Sequence, residues 1–389
     1  MAKQAIKKGS TVKKKLNFDV DAFKNNELKM TKIAEKPMEW FIMPKGFQDA
    51  LSLPGIPKGW FSGCYGWNST GKSTIKNCLI AAAQRQGVLP VIFETESNFD
   101  FKYAISCGME AEPVYGVDEE TGEEIIVDYK GNFILFNNDA MCEYCGDIDY
   151  STMTRKQTKR SVALIEDIAY IINDLLDKQE KGDLPMDLLF VWDSVGSITS
   201  WKSYASKCGN NMFDANAINT VFKPIFARIS SSKEVGAPYS NTMFVVNKIW
   251  KDTANSVGGA VAIANTGGES FQYGIRLQIH VGGVAKAGVK KLKATYKGEE
   301  YQYGTVTKIT VFKNQLPTPY NITYSGTMCC VHNGIISEDE IDKYKKTEIP
   351  KIIENKLKSL EGNENVKVDA SDIKFDEDGQ LDDTPMAME

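Results

Sequence analysis

Eight consecutive residues have the types and the spacing of a loop that binds phosphate groups. The run is Gly66-Trp67-Asn68-Ser69-Thr70-Gly71-Lys72-Ser73, which matches G-x-x-x-x-G-K-[ST] at every fixed position. The glycines let the backbone curl, so that successive N–H groups and the N-terminus of the following helix point at the phosphates. Lys72 is then placed to reach the β- and γ-phosphates and the Ser73 hydroxyl to bind Mg²⁺, with Thr74 next to it. An apolar strand before the run and an amphipathic helix after it supply the context that this motif requires.

Two apolar strands that end in acids could complete the chemistry. Residues 187–193, DLLFVWD, end at Asp193, which would hold Mg²⁺ through water. The alternative is a core strand whose aspartate only caps a helix. Residues 91–96, VIFETE, follow the phosphate-loop helix and end in Glu96. A carboxylate there lies in the crevice where open parallel sheets bind ligands, and it could polarise a water molecule against the γ-phosphate.

The order of elements predicts an α/β fold, with a parallel sheet and crossover helices through residues 60–250. Residues 113–136 alternate between apolar and polar around two turns and predict an inserted antiparallel hairpin. The predicted helices are 73–86, 158–179 and 216–230, and the predicted strands are 88–95, 187–192, 242–246, 275–281 and 305–312.

Composition places the chain among intracellular, cytoplasmic proteins. Of 389 residues, 42% are hydrophobic and 25% charged, and no window is apolar enough for a membrane helix. The basic N-terminus has no apolar stretch behind it, which is unlike a secretory signal. Residues 1–16 hold six lysines and no acid, whereas residues 362–389 have a net charge of −7. The basic end could bind a polyanion, and the acidic tail could compete for the same basic surface. The alternative is that both ends are solvated, disordered segments.

Several segments together resemble the RecA family of recombinases, and its phage-type (UvsX-like) members in particular. The segments are Met43–Glu110, Asp193–Ser197 (DSVGS), Met243–Asn247 (MFVVN), Gly267–Ile279 and Ile309–Pro319 (ITVFKNQLPTP). The resemblance implies a RecA-like ATPase core that uses ATP and Mg²⁺. It also implies an N-terminal element that docks on the next protomer, and an acidic C-terminal tail.

The resemblance also implies roles for individual residues. Glu96 would be the catalytic base, and Asp100 and Tyr103 would frame the adenine. Lys313 would reach the ATP of a neighbouring subunit. Two positions depart from the family pattern. Lys248 stands at the γ-phosphate sensor position, where bacterial members carry glutamine, and Gln315 stands where a second trans-acting lysine is often found.

Two segments are predicted to contact DNA, because each follows a strand that carries a nucleotide-site residue. Flexible backbone with lysines and aromatic rings suits contact with phosphates and wedging between bases, although each segment alone would pass for an ordinary surface loop. The candidate residues are Trp201, Lys202, Tyr204 and Lys207 in the first loop, 199–212, and Trp250, Lys251, Gly258, Gly259, Gly267 and Gly268 in the second, 250–268.

The resulting expectation is a DNA-dependent ATPase that forms a helical filament on single-stranded DNA and exchanges strands with homologous duplex DNA. A single-strand-binding protein and a loading mediator are the expected partners. A ring-forming DNA helicase is the alternative, although only about 42 residues precede the core. A second alternative is a non-enzymatic mediator with a degenerate nucleotide site. It is disfavoured because the chain retains Lys72, Ser73, Glu96 and Asp193. The predicted divisions are a basic arm (1–42), the core (43–330, with an insertion at about 111–150), a small helical part (331–361) and a disordered acidic tail (362–389).

Four cysteines and a histidine leave a metal-site hypothesis open. Cys142 and Cys145 form a C-x-x-C pair that Cys329, Cys330 and His332 could complete as a zinc site. Adjacent cysteines are poor bidentate ligands, so buried free thiols are the favoured interpretation.

Overall fold

The computed structural model describes residues 22–24, 36–207, 209, 211–252, 262–265, 267–283, 288–361 and 367–375. Its strands are β1 (Trp40–Ile42), β2 (Gly55–Pro57), β3 (Phe61–Gly66), β4 (Leu89–Glu94), β5 (Glu112–Val117), β6 (Glu124–Lys130), β7 (Ile134–Phe136), β8 (Ile148–Asp149), β9 (Thr154–Arg155), β10 (Leu188–Asp193), β11 (Thr242–Asp252), β12 (Ala262–Asn265), β13 (Leu277–Val281), β14 (Val289–Tyr296), β15 (Glu299–Asn314), β16 (Ser325–Val331), β17 (Gly334–Ile336) and β18 (Lys374–Phe375). Its α-helices are α1 (Lys45–Leu51), α2 (Lys72–Gln84), α3 (Phe101–Ser106), α4 (Asn138–Cys145), α5 (Ile165–Lys181), α6 (Trp201–Ser206), α7 (Asn211–Ser231), α8 (Gly268–Gly274), α9 (Ile341–Thr347) and α10 (Ile349–Glu361).

A large mixed sheet runs through the molecule in the order β17-β16-β15-β13-β3-β11-β10-β4-β7. The strands from β13 to β7 are parallel to their neighbours. The strands β15, β16 and β17 extend the sheet in antiparallel fashion beyond β13. The predicted α/β core, with a parallel centre flanked by helices, is confirmed.

The apolar run of β10 shows why the sheet is buried on both faces. All six residues of β10 are buried. Leu189 and Val191 join the core cluster beneath α2, whereas Phe190 and Trp192 join the cluster beneath α5 and α7. Because side chains alternate along a strand, a continuous apolar run supplies both layers at once.

The predicted insertion at 111–150 is only partly correct. β5 and β6 form the expected antiparallel hairpin, which is fixed to the core by Tyr129 stacking on Phe101 with ring centroids 4.0 Å apart. β7, however, pairs in parallel with β4 as a strand of the central sheet. The β5–β6 hairpin is thus separate from the central sheet, whereas β7 is one of its strands. That the hairpin is an insertion stays a prediction.

The start of α5 also differs from the prediction, since the helix begins at Ile165 and not near residue 158. The Asp167 carboxylate accepts a hydrogen bond from the Leu164 N–H at 2.7 Å and so caps the helix there. Arg160 folds back and donates to both oxygens of the same carboxylate at 2.6 and 2.9 Å. This buried pair holds residues 160–164 outside the helix.

At the N-terminal boundary, β1 lies within the predicted arm but pairs with β2. Trp40 and Phe41 join the core cluster under α2. The core therefore begins before residue 43. Residues 1–16, with their lysines, lie outside the described residues.

The C-terminal boundaries need two further corrections. The segment 331–361, predicted as helical, also contributes β17, which pairs with β16. The segment 362–389, predicted as a disordered tail, contains residues 367–375, in which β18 pairs with β14. Val368 and Ile373 are buried in the cluster beneath α10, because these two apolar side chains interrupt the acidic sequence. The remaining tail residues lie outside the described part of the chain.

Candidate nucleotide and nucleic-acid site

The phosphate loop connects β3 to α2 and packs too tightly for side chains at its glycines. Gly71 precedes α2 with φ at +98°, and a Cβ atom there would lie 2.6 Å from the Cys330 sulfur. A Cβ atom on Gly66 would lie 2.4 Å from the Val281 carbonyl oxygen. No side chain caps the N-terminus of α2. Its first N–H groups therefore remain available to an anion.

Lys72 lies folded over this loop. Its Nζ donates to the carbonyl oxygens of Gly66 at 3.0 Å and Trp67 at 2.6 Å. Burial lowers the pKa of Lys72. The neighbouring Ser73 is exposed. An amine above the loop and an exposed hydroxyl beside it fit a nucleotide phosphate chain with Mg²⁺.

A cavity beside the loop has room for the rest of a nucleotide. Tyr103 lies on its wall, with its hydroxyl 2.6 Å from Thr74 Oγ1. Asp100 caps α3 by accepting a hydrogen bond from the Tyr103 N–H at 3.0 Å. The far wall includes Gln302 and His332, from β15 and the turn after β16. Sequence reasoning missed these two residues, because only the folded sheet brings them to the loop.

Glu96, just beyond β4, is the centre of a polar network. Lys248 Nζ lies 2.8 Å from its Oε1 atom. The hydroxyls of Ser194 and Ser197 donate to the same oxygen, the latter at 2.7 Å. Burial raises the pKa of Glu96, but the hydrogen bonds from Lys248, Ser194 and Ser197 outweigh it and lower that pKa to about 2. The carboxylate is therefore ionised at neutral pH.

The predicted Mg²⁺ residue Asp193 has a buried partner that the sequence analysis missed. Lys76, one turn after Lys72 on α2, places its Nζ 2.6 Å from Asp193 Oδ2 and 3.7 Å from Glu94 Oε2. Burial raises the pKa of Glu94, against the opposing effect of Lys76. The four-residue spacing on the helix was the available signal, because it puts both lysines on the same face.

The first predicted DNA loop is largely helical. Trp201 begins α6, and its ring lies 5.5 Å from Lys156 Nζ and 5.8 Å from the Arg160 guanidinium carbon. Lys202, Tyr204 and Lys207 are exposed. The prediction of a flexible loop is wrong over 201–206, because Ser200 caps a helix there through its hydroxyl.

The second predicted DNA loop is partly a hairpin, since β11 continues to Asp252 and pairs with β12. Gly267 is buried at the start of α8, and Gly268 packs beside α7. Neither glycine belongs to a freely exposed loop. Gly258, Gly259 and the side chains of Trp250 and Lys251 lie outside the described part of the structure.

Lys313 lies on β15, where its Nζ donates to the carbonyl oxygens of Gln272 at 2.8 Å and Tyr273 at 3.2 Å. These carbonyls belong to the C-terminal turn of α8. Gln315 accepts a hydrogen bond from Arg276 at 2.9 Å. Within one chain, Lys313 is therefore bound to the element that follows the second predicted DNA segment.

The cysteine pairs are distributed over separate parts of the core. Cys142 and Cys145 lie in the cluster beneath α5, whereas Cys329 lies in the cluster beneath α10. Cys330 packs against the phosphate loop. Among the described residues, no group of three or more His, Cys, Asp or Glu side chains is arranged to hold a metal ion. The zinc hypothesis has no support there. In the same residues, no helix has the length and apolar character of a membrane span.

Comparison with known proteins finds matches to part of the chain. Residues 33–131 match the RecA N-terminal domain family. Protein RecA of Herpetosiphon aurantiacus is 34% identical over 77 residues, which are 20% of this chain and 22% of that protein. Protein RecA of Aquifex aeolicus is 35% identical over 77 residues, again 20% and 22% of the two chains. Protein RecA of Campylobacter hominis is 32% identical over 81 residues, or 21% and 23%.

The matched region thus spans between a fifth and a quarter of these relatives. Residues 33–131, which match the family model, include the phosphate loop, Glu96, Asp100 and Tyr103. The resemblance to phage-type members stays a prediction. Over residues 33–131, this chain is similar to the RecA N-terminal domain family.

Proposed function

We propose that this protein is an ATP-dependent DNA recombinase that forms a helical filament on single-stranded DNA and catalyses homologous pairing and strand exchange with duplex DNA. The relationship of residues 33–131 to RecA supports the nucleotide-binding part of the proposal. The dependence of hydrolysis on DNA is supported by the arrangement of residues around Glu96.

The proposed ATPase chemistry uses groups at one edge of the sheet. Lys72 and the first N–H groups of α2 would hold the β- and γ-phosphates. Ser73 and, through water, Asp193 would hold Mg²⁺, which neutralises phosphate charge when bound. Glu96 would accept a proton from the attacking water, and its low pKa keeps it in the required ionised form.

The observation that carries the proposal is the position of Glu96 between the two predicted DNA segments. Ser194 and Ser197, which donate to Glu96, lead into α6. Lys248, its ion-pair partner, lies on β11, the strand that extends into the β11–β12 hairpin. The group that we propose acts at the γ-phosphate is thus bonded to residues that shortly precede each of the two segments. This bonding provides a physical route by which DNA binding would alter hydrolysis.

The filament part of the proposal rests on Lys313 and on the charged ends of the chain. Lys313 would leave its helix-capping position and contact ATP bound to a neighbouring copy. A single-strand-binding protein and a loading mediator are proposed as partners, because a recombinase filament must compete for single strands that are already covered.

The test is ATP hydrolysis by the full chain with and without single-stranded DNA, together with strand exchange between a labelled strand and a homologous duplex. The proposal predicts hydrolysis that single-stranded DNA stimulates, and exchange that requires ATP and homology. Exchange that is indifferent to homology, or hydrolysis that drives strand separation instead, would favour a helicase.

A further inference from the structure

Lys76 is a buried cation without a role in the chemistry described above. It is 3% exposed and lies on the inner face of α2. Its contacts are Asp193 Oδ2 at 2.6 Å, Glu94 Oε2 at 3.7 Å and the Phe99 ring at 4.9 Å. A lysine is almost never this buried unless it is paired, so its presence at the end of two sheet strands calls for an explanation.

The two carboxylates that it contacts stand side by side. Asp193 on β10 and Glu94 on β4 are register partners on adjacent parallel strands. They are 7% and 1% exposed, so water screens their mutual repulsion poorly. Glu94 Oε2 accepts no hydrogen bond from any described residue. Like charges placed directly opposite each other destabilise a sheet unless a cation lies between them.

The cluster also fixes the main chain that carries Glu96. Glu94 Oε1 accepts a hydrogen bond from the Glu96 N–H at 2.8 Å. The Thr95 N–H donates to the Asp193 carbonyl oxygen at 2.9 Å. A change in the position of the Glu94 carboxylate would therefore move the backbone at Glu96.

We propose that Lys76 is a positioning residue, whose buried ammonium group holds Glu94 and Asp193 together and thereby orients Glu96. Lys76 occupies Oδ2 of Asp193, so any contact of that carboxylate with Mg²⁺ would use the other oxygen. The ion pairing of Lys76 with Glu94 and Asp193 does not depend on the proposed function. Only the consequence for Glu96 rests on the proposed function.

The first test uses thermal unfolding of the full chain without nucleotide, with and without millimolar Mg²⁺ or Mn²⁺. Lys76→Met leaves two buried carboxylates without a cation, and we expect its Tm to fall by about 5–10 °C. A divalent cation should then occupy the gap and recover part of the loss, because a ligand that binds only the folded state stabilises it. Wild-type protein should not respond. As a matched control, Lys178→Met removes a partly exposed lysine of α5 that pairs with Asp174 at 2.7 Å and donates to the Tyr144 hydroxyl. It should shift Tm by about 1 °C or less, with no cation response.

A double-mutant cycle with Glu94→Gln makes the test robust even if Lys76→Met alone is too unstable to purify. Neutralising Glu94 removes its repulsion with Asp193. The decrease in Tm caused by Lys76→Met should therefore be at most half as large in the Glu94→Gln background as in wild type. If Lys76→Met does not fold, recovery of a folded Lys76→Met/Glu94→Gln protein supports the proposal. An equal cost in both backgrounds, a protein unfolded in both, or no cation response in Lys76→Met, would overturn it.

The effect on Glu96 has its own readout. In Lys76→Met, kcat for ATP should fall at least tenfold while ADP affinity stays within about threefold, and Glu94→Gln in the same chain should restore part of kcat. Equal losses in kcat and in ADP affinity would mean that Lys76 serves the stability of the nucleotide site as a whole and does not orient Glu96. Because the unfolding series contains no nucleotide, failure of the ATPase proposal would leave its result interpretable.

Discussion

The ammonium group of Lys248 lies 2.8 Å from the carboxylate of Glu96, and this ion pair joins the strand β11 to the end of β4. Lys248 thus contacts the carboxylate that we propose activates water. The contact joins a cation to a carboxylate, and Lys248 is the residue that we propose senses the γ-phosphate. We infer that the pair must loosen when a γ-phosphate arrives and draws Lys248 toward it.

The first prediction concerns the pH dependence of this ion pair. The folded-state pKa of Glu96, about 2, is below the ordinary carboxyl value of 4.5. The pair therefore stabilises the folded protein above pH 4.5, and this contribution disappears as the pH falls from 4.5 to about 2. Lys248→Met should unfold at lower urea concentration than wild type at pH 7, and this difference should shrink toward pH 2. A difference that is constant across the range would show that Lys248 stabilises the fold by some other contact.

The second prediction concerns Glu96 as the base. Glu96→Gln keeps the shape of the side chain but removes its charge, so it should bind ATP and DNA and hydrolyse about 10²–10⁴-fold more slowly. Glu123→Gln, at the exposed tip of the β5–β6 hairpin, is the control and should hydrolyse like wild type. Wild-type turnover by Glu96→Gln would remove Glu96 from the mechanism.

The third prediction concerns Lys313 and a composite site. Lys72→Ala should abolish hydrolysis and ATP-dependent DNA binding, because the phosphates lose their main cation. Lys313→Ala should also be inactive, since it would remove the cation supplied to the neighbouring copy. Mixtures of the two inactive proteins should regain partial ATPase activity at shared interfaces.

Lys308→Ala, an exposed lysine on the same strand β15, is the control for this experiment and should be fully active alone. If no mixing ratio restores activity, Lys313 acts only within its own chain, as the cap of α8.

The fourth prediction concerns the acidic end of the chain, with its boundary set by β18. Residues 376–389 carry six acids and no base. Deleting them should tighten binding to labelled single-stranded DNA at low salt, with the gain shrinking as ionic strength rises, because a tethered polyanion competes electrostatically. If wild type and the deletion variant bind single-stranded DNA equally well at low salt, the tail does not compete with DNA.

The matched variant for this prediction is a deletion from residue 362, which also removes the buried side chains of Val368 and Ile373. It should unfold at lower temperature than wild type, whereas the deletion from residue 376 should change Tm by about 1 °C or less. Equal Tm values for the two deletions would mean that β18 does not contribute to stability.

The sequence sufficed for features that depend on neighbouring residues. The phosphate loop is contiguous, and the apolar run of β10 identifies a strand that is buried on both faces. The Lys76–Glu94–Asp193 cluster was not predictable in the same way, because it depends on the register that places Asp193 beside Glu94. The helix at Trp201 has a local cap in Ser200, but its start is also held by a distant residue, since Glu166 accepts a hydrogen bond from the Trp201 N–H at 2.9 Å. The distant contact could not be predicted from the sequence.

The most direct test of the central claim is electron microscopy of the full chain with single-stranded DNA and a slowly hydrolysed ATP analogue. Lys72→Ala under the same conditions is the control, and it should leave the DNA bare. The proposal predicts continuous helical filaments of the wild-type protein along the DNA, which appear only when nucleotide is present. Closed rings on the strand, or bare DNA with wild-type protein at saturating nucleotide, would contradict it.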